Sequence, residues 1–153
     1  MKLIPTLLSG PLKLVGHGTN HESEAFIGRL EIQSLVNGSS LLLQYTATRT
    51  DGKHLHREAT LLGTDQNNQL CLWPVMEELP FVLPHPEVSN TQNEDGTLVV
   101  VFASGSRDAA EYFREEINIE VRANGELRYA HSWGMPGGAF AARSSCLLSP
   151  ADA

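Results

Sequence analysis

The sequence predicts an all-β fold: a single antiparallel up-and-down barrel of about nine or ten strands with a short N-terminal helical turn, formed by residues 1–153 as one domain. Three observations lead there. Turn sequences that supply the positive φ angles of tight hairpins recur at short intervals, at Asn37-Gly38, Asp51-Gly52, Asp65-Gln66-Asn67-Asn68, Asp95-Gly96, Asn124-Gly125 and Pro136-Gly137-Gly138. The runs between them alternate apolar and polar residues with period two, the pattern of half-buried strands. A length of 153 residues suits one core and is too short for two full domains. Short connections pair neighbouring strands antiparallel, and a long meander with little helix to cover it removes its exposed edges by closing.

Taken in order, Met1 to Ser9 can hold the helical turn, and the first strands read at about 12–19 and 26–35. In 39–49, Leu41, Leu43, Tyr45 and Ala47 share one face, opposite Leu42, Gln44, Thr46 and Thr48. Strands follow at 53–63 and 69–75. Pro74, Pro80, Pro84 and Pro86 then interrupt the pattern, so 74–86 is expected to form a long loop over one barrel mouth. A weak strand near 87–92 and a regular one at 97–104 come next. Asp108 can cap a second helical turn over 107–111. The alternation in 111–122 is sharper: Phe113, Ile117, Ile119 and Val121 lie on one face, and Arg114, Glu116, Asn118, Glu120 and Arg122 on the face expected to meet water. The final strands read at 126–134 and 139–148.

The apolar fraction of 41% rules out intrinsic disorder, and a net charge of -7 repels phosphate backbones, so neither nucleic acid nor an anionic membrane is expected as a partner. The first ten residues carry one positive charge, a proline and no small-residue cleavage site, and no run approaches the ~18 apolar residues of a spanning helix. A cytoplasmic location is expected. Cys71 and Cys146 lack metal or redox spacing and read as buried free thiols. The serines of 39–40, 104–106 and 144–145 lack the Gly-x-Ser-x-Gly elbow of a hydrolase. Met135-Pro136-Gly137-Gly138 has no helix after it and is not a phosphate loop.

The order of elements, Gly16-His17-Gly18 at the end of the first strand and Arg143 on the last strand together resemble the calycin superfamily. Within it the chain is most similar to small bacterial lipocalin-like families and to nitrobindin-like haem barrels. Those families commonly open with Gly-x-Trp-x-Gly-x-Gly, the Trp plugging the barrel floor beside a late-strand Arg. Here Leu12 and Leu14 occupy the first Gly and the Trp positions, and the last two glycines match. The seven residues Thr19 to Ala25 leave no room for the helical lid of fatty-acid-binding proteins. The resemblance implies a barrel that binds a small molecule. Through the haem barrels it also points to His131, a histidine of the right type and region, as a ligand to haem; no other cofactor is implied.

Three groups of residues could carry chemistry. His54, His56 and Glu58 sit at i, i+2 and i+4, on one face of a strand, and could ligate a transition metal; equally, they are the polar residues expected at a hairpin end. Tyr129, His131 and Trp133 form an aromatic row that could orient a ligand by its polar tips, or bury a core histidine satisfied by a neighbour. Arg143 lies among small residues, Ala139, Ala141, Ala142, Ser144 and Ser145, that leave interior room. It could receive a ligand carboxylate or neutralise a buried acid such as Glu115. The expected inner wall comprises Tyr45, Phe102, Phe113, Tyr129, His131 and Trp133. The leading reading is therefore binding of a small, largely apolar, optionally anionic ligand in the barrel, with no catalytic residue assigned. A haem- or metal-dependent enzyme in the same barrel and a ligand-free homo-oligomer, for instance a homodimer, are the alternatives.

Overall fold

A computed structural model describes residues 2–151 of the chain. It contains α1 (Leu3–Ser9) and ten strands: β1 (Lys13–Thr19), β2 (Ala25–Leu35), β3 (Ser40–Arg49), β4 (His54–Thr64), β5 (Leu70–Met76), β6 (His85–Gln92), β7 (Leu98–Ser104), β8 (Arg114–Val121), β9 (Leu127–Gly134) and β10 (Ala141–Pro150). Each strand pairs antiparallel with the next, and β1 pairs with β10 to close the barrel. No helix among the described residues is long and apolar enough to cross a membrane.

Alternation decides which side chains enter the barrel. Leu41, Leu43, Tyr45 and Ala47 of β3 are all buried, as are Ile117, Ile119 and Val121 of β8. Leucines, valines and isoleucines fill the end of the barrel where the short hairpins lie. Helix α1 closes that end by burying Leu3, Ile4 and Leu7. A seven-residue helix is too short to persist alone, so burial of these three side chains holds it. The opposite end carries the turn 20–24, the β3–β4 hairpin, the β5–β6 loop 77–84, and the loops 105–113 and 135–140. That end is the mouth.

Three expectations change. Pro74 and Pro86 lie inside β5 and β6, so the proline-rich loop is confined to 77–84. Pro74 is tolerated because β5 and β6 pair only through Cys71↔Pro86 and Leu72↔His85, leaving β5 with a free edge beyond Leu72, and Pro86 stands at the start of β6, where that short seam ends. Residues 107–111 form turns rather than a helical turn, closed by Ala109 N–H to Ser106 O and Tyr112 N–H to Ala109 O.

Arg114 lies on the outer face as expected, yet it is buried, because the loops 105–113 and 135–140 fold back over it. Its guanidinium donates to the carbonyls of Arg107 (3.2 Å), Tyr112 (3.2 Å), Met135 (2.9 Å) and Gly138 (2.8 Å). Gly134 makes room for it: a Cβ there would stand 2.6 Å from Arg114 Cζ. One buried arginine thus ties together two loops of the mouth.

Candidate functional site in the barrel mouth

The mouth end encloses a cavity of about 560 Å³. Phe26, Tyr45, Met76, Phe113 and Trp133 give it an apolar wall, and among the many polar side chains of its lining three groupings are built on or beneath it. The deepest lies beneath the lining residues His56 and His131: Glu58 of β4, whose carboxylate is fully buried. Its Oε1 accepts from His131 Nε2 of β9 (2.8 Å) and His56 Nε2 (2.9 Å). Its Oε2 accepts from Tyr129 Oη (2.7 Å) and Thr60 Oγ1 (2.6 Å). Strands β4 and β9 face each other across the lumen, so the carboxylate binds opposite walls together. His56 donates through Nδ1 to Glu78 of the 77–84 loop at 2.8 Å. With acceptors on both nitrogens, the ring is held as an imidazolium.

The protonation of this cluster follows from its geometry. Burial alone would raise the Glu58 carboxyl, but the charge and hydrogen bond of His131 and those of His56 override it and hold the group well below the usual carboxylate range. Burial would likewise lower His56, yet its hydrogen bonds to Glu58 and Glu78 lift it to about 10. Burial, reinforced by the Glu58 charge, pushes the Tyr129 hydroxyl well up, so it remains a hydrogen-bond donor.

The second place is Glu115, buried on β8, whose Oε1 meets His85 Nε2 at 2.8 Å while His85 Nδ1 donates to Leu83 O at 2.6 Å. The third is Arg143, at the rim. β10 carries a bulge between Ala142 and Ser144, which makes Arg143 the extra residue and re-aims its side chain. The guanidinium stacks on the Trp133 ring at 4.5 Å and donates to Trp133 O (3.0 Å) and Ala139 O (2.8 Å).

The residues anticipated from sequence separate accordingly. Tyr45, Phe113, His131, Trp133 and Arg143 all line the cavity. Tyr129 is buried beneath it with its hydroxyl on Glu58, and Phe102 is fully buried in the core rather than on the cavity wall. The pairing of Arg143 with Glu115 does not form, because His85 takes the acid and the bulge turns the arginine to the rim. His54 does not join His56 and Glu58. A second bulge, with Leu55 as the extra residue opposite Ala47 and Thr48, breaks the alternation, and His54 pairs with Glu77 at the rim instead. His131 takes its place, so among the described residues the group able to hold an ion is His56, Glu58 and His131.

Thr60, Glu78 and His85 were missed. Thr60 was legible in principle, two residues from Glu58 on the same face, whereas Glu78 reaches the cavity and His85 reaches Glu115 only through the course of the 77–84 loop. Haem does not fit at His131. A porphyrin needs an open plane beside the nitrogen that ligates its iron, and the buried Glu58 carboxylate on Nε2 and the rings of Tyr129 and His56, 5.0 and 5.6 Å from that of His131, leave none.

No family model and no curated protein matches the chain. Among solved structures it is similar to the one described as "Crystal Structure of Rv2717c from M. tuberculosis", with a TM-score of 0.74 and 15% identity over 97% of this chain and 98% of that one. At that identity the likeness concerns the fold, a closed antiparallel barrel of ten strands.

Proposed function

We propose that the protein is a calycin-type, lipocalin-like binding protein of the cytoplasm that takes one small, largely apolar molecule into the barrel mouth. An anionic group on that molecule is received by Arg143. The observation that carries this reading is the cavity itself, about 560 Å³, whose wall offers more apolar than polar surface and carries His56, His131, Glu115 and Arg143 among its polar groups. Arg143 supports the anionic end. Two of its donor groups are fixed on carbonyls, which holds the guanidinium plane against Trp133 at the rim. The cytoplasmic setting is supported by the two unpaired buried thiols. The acidic net charge of -7 supports a ligand other than nucleic acid.

Titration with an anilinonaphthalene sulfonate, which joins an apolar body to one anionic group, tests the reading through quenching of Trp133 fluorescence in a Trp73→Phe background. One saturable site is expected, weakened about 10-fold or more by Arg143→Lys, because an ammonium cannot reproduce the forked donors. Absence of saturable binding, together with no small molecule released from the purified protein in native mass spectrometry, would count against it.

A further inference from the structure

We propose that His56, Glu58 and His131 hold a divalent transition-metal ion, zinc foremost, with an open coordination position toward the cavity. The first support is distance. One ligand atom from each of the three residues lies within 4.8 Å of the others, and the Nε2 atoms of both histidines are within 2.9 Å of Glu58 Oε1. Zinc at roughly 2.0–2.2 Å from N and O donors spaces neighbouring tetrahedral ligands roughly 3.3 Å apart, so each nitrogen moves from the carboxylate oxygen by a few tenths of an ångström as the ion enters. Two imidazoles and one carboxylate are also a donor set of the kind that leaves zinc a free position.

The second support is what surrounds the three residues. Metal-bound histidines commonly pass their other N–H to a carboxylate, and His56 Nδ1 does so, to Glu78 at 2.8 Å. The carboxylate is sorted in the same sense. Tyr129 and Thr60 occupy Oε2 while both imidazoles gather at Oε1, the single oxygen left for an ion. The hydrogen-bonded cluster described above is then the proton-loaded form of the site, in which protons stand where the ion would.

The third is placement. The ligands come from strands on opposite walls of a closed barrel, which resists the rearrangement a surface cluster would undergo. His56 and His131 line the cavity, so water or a group of a bound molecule can complete the coordination. His54, one turn of the pattern away, is excluded by the bulge at Leu55 and its pairing with Glu77. This inference is independent of the apolar ligand and of Arg143.

The test uses the full chain, stripped with a chelator and titrated with zinc chloride by calorimetry, and with cobalt chloride by visible absorption. One equivalent of each is expected, the cobalt form showing the strong bands of a low-coordinate site. His131→Ala and His56→Ala should lower zinc affinity by more than about 100-fold, and Glu78→Gln, which changes only the supporting hydrogen bond, by about 10- to 100-fold. His54→Ala should leave it unchanged. Circular dichroism checks that each variant folds. Should the alanine variants not fold, His131→Gln and the exposed Glu78→Gln carry the test. The proposal is overturned if the wild-type chain shows no saturable one-equivalent binding, or if folded His131 variants bind as tightly as it does. It is equally overturned if His54→Ala costs as much as His56→Ala.

Discussion

At the scale of single residues, the barrel interior is organised by two buried acids with separate histidine partners. Glu58 has four donors, so Glu58→Ala strands two imidazoles and two hydroxyls at once. That change is expected to cost roughly 3 to 5 kcal/mol in chemical denaturation, as breaking a buried ion pair does. His85→Phe leaves Glu115 buried without its partner, and Glu115→Leu leaves His85 so, each with a similar expected loss. His85→Phe combined with Glu115→Leu should recover much of it, since the coupling of contacting residues is what the double change removes. If the two single losses simply add, the pair is not coupled.

His56 gives a pH signature whose sign is fixed by the direction of its shift. Its value is raised in the folded state to about 10, against ~6.5 when unfolded, so its stabilisation is complete below ~6.5 and is lost as pH rises toward 10. In buffer containing EDTA, the melting temperature of the wild type should fall between pH 7 and 10 more steeply than that of His56→Gln. Parallel pH profiles would show that His56 does not carry the charge assigned to it. Glu58, held below its ordinary value, acts in the opposite window: its contribution is present above the unfolded carboxylate range and fades as pH drops through the folded value.

Elements divide the barrel into a filled end and an open end. Helix α1 has no side-chain N-cap hydrogen bond and no charged residue in its first or last turn, so little besides burial of Leu3, Ile4 and Leu7 favours it. Leu7→Ala is expected to destabilise by about 2 to 5 kcal/mol, the range for truncating a packed leucine, without changing occupancy of the cavity at the other end. A loss of ligand or metal binding equal to that of a cavity variant would contradict this division. The open end is shaped by bulges. Leu55 in β4 and Arg143 in β10 each add one residue to a strand beside the mouth, and each turns a polar side chain away from where alternation would send it.

The whole molecule closes through an uneven circuit. β2 and β3 are joined along ten residue pairs, whereas β5 and β6 share two. The narrow seam lies directly under the 77–84 loop, whose Glu77 and Glu78 pair with His54 and His56 at the mouth. Native-state hydrogen exchange should find the Met76 amide, which faces the β6 side, among the least protected of the barrel and those of β2 and β3 among the most. Equal protection at the two places would mean that the loop, and not strand pairing, sets local stability there.

By itself the sequence determined the class, the closure and most of the inner wall, because hairpin turns and period-two alternation are local properties. Gly52, Gly96 and Gly125 have positive φ where the turn dipeptides required it, and Leu41 to Ala47 face inward as their spacing demands. It also marked Tyr45, His56, Glu58, Tyr129, His131, Trp133 and Arg143 as residues with chemistry to offer. Their grouping was decided only by tertiary structure. A bulge is one inserted residue whose cost or gain depends on the partner strand, so nothing local shows that Leu55 removes His54 from the cluster or that Arg143 leaves Glu115 to His85. The meeting of Glu58 with His131, 73 residues away, arises when a meander of ten strands closes on itself and brings β4 opposite β9.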